Sequence, residues 1–180
     1  SNTTGTNNVA VGSTSLDANT EGDQNVAIGR DALSANTTGQ DNVGIGYASL
    51  QAATTPNNNT ALGSKSLRTN TTGSANTAVG TEALLDNTTG SNNTAVGENA
   101  LANNTTADEN TAVGQNACLT NSTGAANVSM GHDSMRLNTT GSSNVAIGYD
   151  AMRSNTTAGG NTAVGKAALT SCTTGDAHTV

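Results

Sequence analysis

Apolar and polar positions recur along this chain with a strict period of 17 residues. With the first Asn of each copy as position 0, the unit reads Asn-(Thr/Val)-Ala-(Val/Ile)-Gly-x-x-Ala-Leu-x-x-Asn-Thr-Thr-Gly-x-x. The copies follow one another without an insertion or deletion. Coils stacked on one another require constant spacing, whereas separate domains joined by loops tolerate changes in length. The pattern therefore predicts an all-β protein in which residues 1–180 form a single parallel β-solenoid, a β-roll or β-helix of 17-residue coils.

Side chains at alternate positions separate the predicted inside of the coil from its outside. β-Branched residues alternate in the first five residues of each copy, which is typical of a short strand. Position 3 (for example Ile28) and position 8 (Leu33) are apolar throughout, and we predict that they fill the coil interior. Position 2 is Ala in eight copies and Gly44 or Ser129 in the other two, so we predict that this small-residue column faces outward and that another element packs closely against it.

Two invariant columns, Asn at position 0 and Gly at position 4, are the candidate structural sites. Stacked side-chain amides can donate to one copy and accept from the next, so the asparagines are predicted to form a ladder along the axis. The glycines are predicted to have a positive φ or a close backbone contact in a turn. The ladder residues are Asn8, Asn25, Asn42, Asn59, Asn76, Asn93, Asn110, Asn127, Asn144 and Asn161. The turn glycines are Gly12, Gly29, Gly46, Gly63, Gly80, Gly97, Gly114, Gly131, Gly148 and Gly165.

The glycine of the Asn-Thr-Thr-Gly segment, at position 14, differs from the glycine at position 4. It is replaced by Pro56, Ala107 and Ala158 in three copies. Proline fixes φ near −65°, so this position does not require a left-handed backbone. We interpret the position 4 glycine as a steric requirement and the position 14 glycine as a preference.

Composition and charge exclude several classes of function. The chain has no Trp or Phe and only two Tyr, so a single compact core is not expected. The formal net charge of −7 argues against binding to nucleic acid. No apolar run reaches the length that crosses a membrane. Nearly all charged residues fall at positions 5, 6, 9, 10, 15 and 16, which we interpret as solvent-facing corners.

No constellation in the sequence predicts an enzyme, a cofactor or a metal site. His132, Asp133 and Ser134 are adjacent, and adjacent residues on a strand or turn cannot converge into a nucleophile–base–acid relay. Two histidines and two separated cysteines, Cys118 and Cys172, do not form a zinc motif. The cysteines lie more than three coils apart, too far for a bridge within one chain. They are expected to be unpaired packing residues, with an interchain bridge through Cys172 as the alternative.

Three weaker patterns have simpler explanations in the repeat. Asp23, Asp41 and Asp108 share one corner, but the nonapeptide of calcium-binding β-rolls is absent. Asn-x-Thr triplets such as Asn36 match a glycosylation acceptor, although their recurrence follows from the repeat itself. Only two tyrosines, both at position 5, could serve as platforms for sugars. The chain is therefore a poor candidate for a glycan-binding tip.

The same composition predicts assembly. Few large apolar side chains are available in each coil, so an isolated stack is expected to be marginally stable. Burial of the small-residue face against other copies would stabilise it, and we predict a homo-oligomer.

Residues 70–101 read NTTGSANTAVGTEALLDNTTGSNNTAVGENAL. This segment resembles a repeat of phage tail fibres and bacterial surface proteins, where such arrays often precede a C-terminal intramolecular-chaperone domain. Its NxAxG core also resembles the head repeats of trimeric autotransporter adhesins. The resemblance covers essentially the whole chain and implies a left-handed roll and a homotrimer. It also implies flanking fibre or chaperone domains and a location outside the cell, at a cell surface or on a virion.

The sequence thus favours a mechanical role as the shaft or stalk of an extracellular trimeric fibre that supports attachment to a host or surface. Both ends fall within a repeat, so we expect the chain to be part of a longer fibre. The expected partners are copies of itself and flanking domains, with no nucleic acid and no membrane insertion. Two alternatives remain open: a subunit of a self-assembling extracellular filament, and an ice-binding solenoid that uses the Thr columns at positions 12 and 13.

Overall fold

The computed structural model describes residues 2–180 and confirms the predicted all-β solenoid of 17-residue coils. Each coil contributes one three-residue strand at positions 1 to 3, and no helix occurs within the described residues. The strands are β1 (Val9–Val11), β2 (Val26–Ile28), β3 (Val43–Ile45), β4 (Thr60–Leu62), β5 (Thr77–Val79), β6 (Thr94–Val96), β7 (Thr111–Val113), β8 (Val128–Met130), β9 (Val145–Ile147) and β10 (Thr162–Val164).

The ten strands form one parallel sheet in chain order. Each strand residue pairs with the residue 17 positions away in the adjacent strand, as Thr77 does with Thr94. Hydrogen bonds between coils continue outside the strands, since the Leu84 amide donates to the Ala100 carbonyl at 3.0 Å. With about 4.8 Å between neighbouring strands, ten coils form a rod about 50 Å long.

Position 8 lies in the interior, as predicted. Leu33, Leu50, Leu67, Leu84 and Leu101 are all fully buried. These side chains form one continuous apolar column with the small residues at position 7, such as Ala83.

The predicted sides of positions 2 and 3 were wrong, because the two columns are exchanged. Ala27, Ala61 and Ala95 at position 2 are completely buried, whereas position 3 is partly exposed, with Leu62 at 46% and Val96 at 36%. The interior between the strand and the Leu column is too narrow for a larger side chain at position 2. A Cβ added to Gly44 at this position would lie 3.3 Å from Cγ of Leu33. The close neighbour of the alanines is therefore the Leu column of the same chain and not another copy.

The corners of the coil are built from left-handed residues. Positions 6, 8 and 16 have φ between 48° and 62° in non-glycine residues, as in Asp31, Leu33 and Asp41. This conformation is normally confined to Gly, Asn and Asp because Cβ crowds the backbone. Hydrogen bonds to the adjacent coils and burial of the position 8 side chain hold the backbone there.

Candidate functional site

From Asn25 onward, the asparagines at position 0 are buried. They form hydrogen bonds to the neighbouring asparagine of the column and to the backbone of an adjacent turn. The amide N–H of Asn93 donates to Oδ1 of Asn76 at 3.0 Å, and Nδ2 of Asn93 donates to the same oxygen at 3.2 Å. Nδ2 also donates to the Ala107 carbonyl at 2.8 Å. The same arrangement joins Asn127 to Asn110 and to the turn at Gly141. The column thus connects each strand to its neighbours through side chains as well as backbone.

A second asparagine column, at position 11, was not among the predicted site residues. Nδ2 of Asn87 donates to Oδ1 of Asn70 at 2.8 Å and to the Gly90 carbonyl at 2.9 Å. Nδ2 of Asn104 repeats both bonds one coil later. Recurrence every 17 residues was the available signal in the sequence, and it did not reveal that these amides are internal.

This second column is interrupted at two coils. Ala53 occupies position 11 between Asn36 and Asn70, and Cys172 follows Asn155. Oδ1 of Asn36 and Oδ1 of Asn155 are buried without a hydrogen-bond partner. In each case the missing donor is the amide that the next coil lacks.

We expect Ala53→Asn to stabilise the protein by about 1–3 kcal/mol, because the new amide would pair the buried Oδ1 of Asn36 and accept from Asn70. The measurement is the midpoint of urea unfolding followed by circular dichroism. The matched control is Ala52→Asn, which adds the same side chain at position 10, where Asn103 occurs naturally. Equal midpoints for the two variants would contradict the proposed completion of the ladder.

The turn glycines at position 4 have φ between 126° and 141°. A Cβ added to Gly97 would lie 2.6 Å from both C and O of Gly114 in the next coil. The position 14 glycines have no such positive φ. The two glycine columns therefore differ in backbone conformation.

The outer face of the sheet is an uncharged surface formed by positions 1 and 3 of every strand, and we call it the outer sheet face. Position 1 is Thr or Val, and position 3 is Val, Ile, Leu or Met. Val113 and Ile147 at position 3 are 37% and 38% exposed. Ten strands of three residues present on the order of 400 Å² of this surface. Apolar patches of a few hundred Å² on a soluble chain mark interaction sites.

The two Thr columns of the Asn-Thr-Thr-Gly segments do not form one plane of free hydroxyls. At position 12, Thr88 is half-buried and its hydroxyl donates to the Thr105 carbonyl at 2.9 Å. Thr71 makes the same bond to Thr88. Position 13, as in Thr89, is exposed in every coil, whereas position 12 is half-buried in most coils. Position 12 thus serves contacts between coils.

The carboxylates at position 15 satisfy backbone groups. Oδ1 of Asp23 accepts from the Thr6 amide at 2.6 Å, and Oδ1 of Asp108 accepts from the Ser91 amide at 2.7 Å. Asp41 lies one position further on and is exposed. Within residues 2–180, no group of three His, Cys, Asp or Glu side chains could hold a metal ion.

His132, Asp133 and Ser134 do not converge. His132 is exposed, whereas Ser134 is buried and its hydroxyl donates to the Ala146 carbonyl at 3.1 Å. Oδ1 of Asp133 accepts from Nδ2 of Asn116 at 3.0 Å. Nδ1 of His132 lies 3.7 Å from Oδ2 of Asp133, but the Ser134 hydroxyl is buried and bonded to the Ala146 carbonyl, so the three side chains do not form a relay.

Both cysteines are unpaired. Burial raises the pKa of the Cys118 thiol to about 12, so this group remains a neutral packing side chain at physiological pH. Cys172 is half-buried. The Asn-x-Thr triplets at position 11 have buried asparagines, including Asn36.

The described part of the chain, residues 2–180, has no detectable pocket. It also has no helix long and apolar enough to cross a membrane. Comparisons with protein-family models, with curated proteins and with solved structures found no match for this chain. The outer sheet face is therefore the candidate functional surface on geometric grounds alone.

Proposed function

We propose that this chain is a segment of the structural shaft of an extracellular trimeric fibre, a phage tail fibre or a surface adhesin. The shaft holds an attachment domain away from a virion or cell. The observation that carries this proposal is the continuous ten-stranded sheet with an uncharged, apolar outer face along its whole length. The resemblance of the repeat to fibre and adhesin repeats supplies the number of copies.

A mechanical role fits the bonding of the rod. Consecutive coils are joined by backbone hydrogen bonds, by the amides of position 0 and by the amides of position 11. Such repeated contacts between neighbours make a solenoid stiff and leave few exposed segments for proteases. Recognition then belongs to flanking domains, since this segment offers a regular surface without a pocket in residues 2–180.

The outer sheet face is the proposed interface between copies, in place of the position 2 alanines. From Ala27 to Ala163 the alanines at position 2 are completely buried inside the coils and cannot contact a partner, whereas Ala10 in the first coil is exposed. Positions 1 and 3 carry no charge in any copy, whereas the corners on both sides do. Three copies with this face turned toward a common axis would remove the apolar columns from water.

Sedimentation equilibrium of the isolated chain tests the proposal. A mass of three times 17.6 kDa, about 53 kDa, would support the trimeric shaft. A concentration-dependent series without an upper limit would favour the filament alternative. A stable monomer would contradict the trimer, and ice-growth inhibition would then be the test of the exposed face.

The double substitution Val79→Lys and Val96→Lys should abolish the trimer at concentrations where the parent chain is fully associated. If the trimer still formed, six ammonium groups would be buried in the interface without partners. Each uncompensated buried charge costs several kcal/mol. We expect at least a hundred-fold loss of association by sedimentation, with circular dichroism used to verify that the chain remains folded.

The matched control places the same two charges in the same two coils but on the solvent side. Thr89→Lys and Thr106→Lys change exposed residues at position 13. This control should remain trimeric. If the Val variants also remain trimeric with unchanged affinity, the outer sheet face is not the interface.

A further inference from the structure

The outer sheet face is bordered by two corners that run along the rod. Positions 15 and 16 precede each strand and form the leading corner, and positions 5 and 6 follow it and form the trailing corner. One strand and its two corners make up one level of the rod, so the level of β9 contains 142–143, the strand and 149–150. Because the extended strand β9 lies between the corners, the Cα atoms of 143 and 149 are on the order of 15 Å apart, with an upper limit of about 20 Å.

The trailing corner carries large stacked side chains at β2 and β3, where Cζ of Arg30 lies 4.5 Å from the centroid of the Tyr47 ring, and again at its last three levels. The rings of His132 and Tyr149 are stacked, with centroids 5.3 Å apart and planes 9° from parallel. Nζ of Lys166 lies 5.6 Å from the centroid of the Tyr149 ring. Tyr149 is 49% exposed, and the three side chains form one continuous ridge over β8, β9 and β10.

The leading corner is reduced at the same three levels. Residues 125–126 are two alanines, 142–143 two serines and 159–160 two glycines. At the other levels this corner carries larger polar or acidic residues, such as Asp41 and Glu109, except at β5, where it consists of Ser74 and Ala75. The ridge on one corner is therefore matched by a hollow on the other corner of the same levels.

The carboxylates of the two corners lie mostly at different levels of the rod. The leading corner carries carboxylates at β2, β3 and β7, and the trailing corner carries them at β2, β5, β6, β8 and β9. The corners share only the level of β2, and Arg30 stands on the trailing corner there, 3.4 Å from Asp31. Edge-to-edge packing at matching levels thus avoids facing carboxylates except where a guanidinium is present.

We propose that the copies pack in parallel at matching levels, with the trailing corner of each copy seated against the leading corner of the next. This inference rests on the self-association proposed above and names its register. An interface in which one edge of a subunit contacts a different edge of the next subunit is heterologous. Such interfaces form a closed ring when the rotation between successive subunits adds up to a full turn. Three outer sheet faces turned toward one axis bring these edges together, so that the ridge of one copy occupies the hollow of its neighbour.

Disulfide trapping tests the register. Ser143→Cys and Tyr149→Cys are combined in a Cys172→Asn background, which removes the half-buried native thiol and leaves only buried Cys118. A bridge requires Cα atoms within about 7 Å, which the separation of 143 and 149 in one chain excludes. We expect oxidation to convert most of the protein into covalent trimers on a non-reducing gel. The displaced control pairs Tyr149→Cys with Asn92→Cys, three levels or about 14 Å away, and should not cross-link.

The outcomes separate the two proposals. A monomeric mass before oxidation would overturn both the shaft assembly and this register. A trimer that yields no covalent trimer with the matched pair would overturn the register alone. Covalent dimers from Tyr149→Cys by itself would show that identical edges meet, and they would also overturn it.

Discussion

Replacing Gly97 by alanine should destabilise the solenoid by about 4 kcal/mol, one of the two largest effects expected from a single substitution. The backbone at Gly97 has φ of 133°, a conformation that side chains oppose. The new Cβ would also lie 2.6 Å from the backbone of Gly114. Since that neighbour is backbone held by the adjacent coil, it cannot move aside as a flexible side chain can. The measurement is the urea unfolding midpoint by circular dichroism.

The matched control is Gly90→Ala, at position 14 of the preceding coil. A Cβ added to Gly90 would also lie close to backbone, 2.4 Å from the Ala107 carbonyl oxygen, but Gly90 lacks the positive φ of Gly97. Ala107 and Ala158 occupy position 14 naturally, so small shifts of the coil can accommodate a methyl group there. We expect Gly90→Ala to cost about 1–2 kcal/mol, less than Gly97→Ala, because only the shift of the coil and not a strained φ opposes it. Equal losses of stability in the two variants would show that φ does not distinguish the glycine columns.

Asn93→Ala should destabilise the protein by about 3–5 kcal/mol, because it leaves several buried groups without partners. The substitution removes the Oδ1 acceptor of the Asn110 amide, 2.9 Å away. It also removes the Nδ2 donor to the Ala107 carbonyl and to Oδ1 of Asn76. Hydrogen exchange should show the largest loss of protection at the amide of Asn110.

Asn103→Ala provides the comparison for this variant. Asn103 is exposed at position 10, where other coils carry alanine. A change of less than about 0.5 kcal/mol is expected for an exposed residue of this kind. If Asn93→Ala were no more harmful than Asn103→Ala, the position 0 column would be dispensable for stability.

The sequence predicted the architecture because the period itself is a physical constraint. A coil that stacks on its neighbour must have the neighbour's length, and the unbroken 17-residue spacing could be recognised without any coordinates. The strand followed from β-branched residues at alternate positions, and Leu at position 8 was correctly placed inside. Handedness and the number of copies were implied by resemblance, and they remain predictions.

The sequence misled on the two faces of the strand. Alternation shows that Ala27 and Ile28 point to opposite sides, but it does not show which side is inside. Larger apolar residues usually lie in a core, and on that basis position 3 was predicted to be inside instead of position 2, which was wrong. The same error assigned the interface between copies to the alanines, which the structure places inside each coil.

What the sequence determined by itself is therefore the repeat, the strand and the stacking of coils at constant spacing. The tertiary structure decided which residues face inward. Leu at position 8 fills most of the narrow interior, so the strand can point only a small side chain, that of position 2, toward it. The tertiary structure also decided that residues such as Leu33 adopt left-handed backbone, which contacts between coils impose against local preference. Local propensities are properties of one segment, whereas the width of the interior arises only when the coil closes on itself.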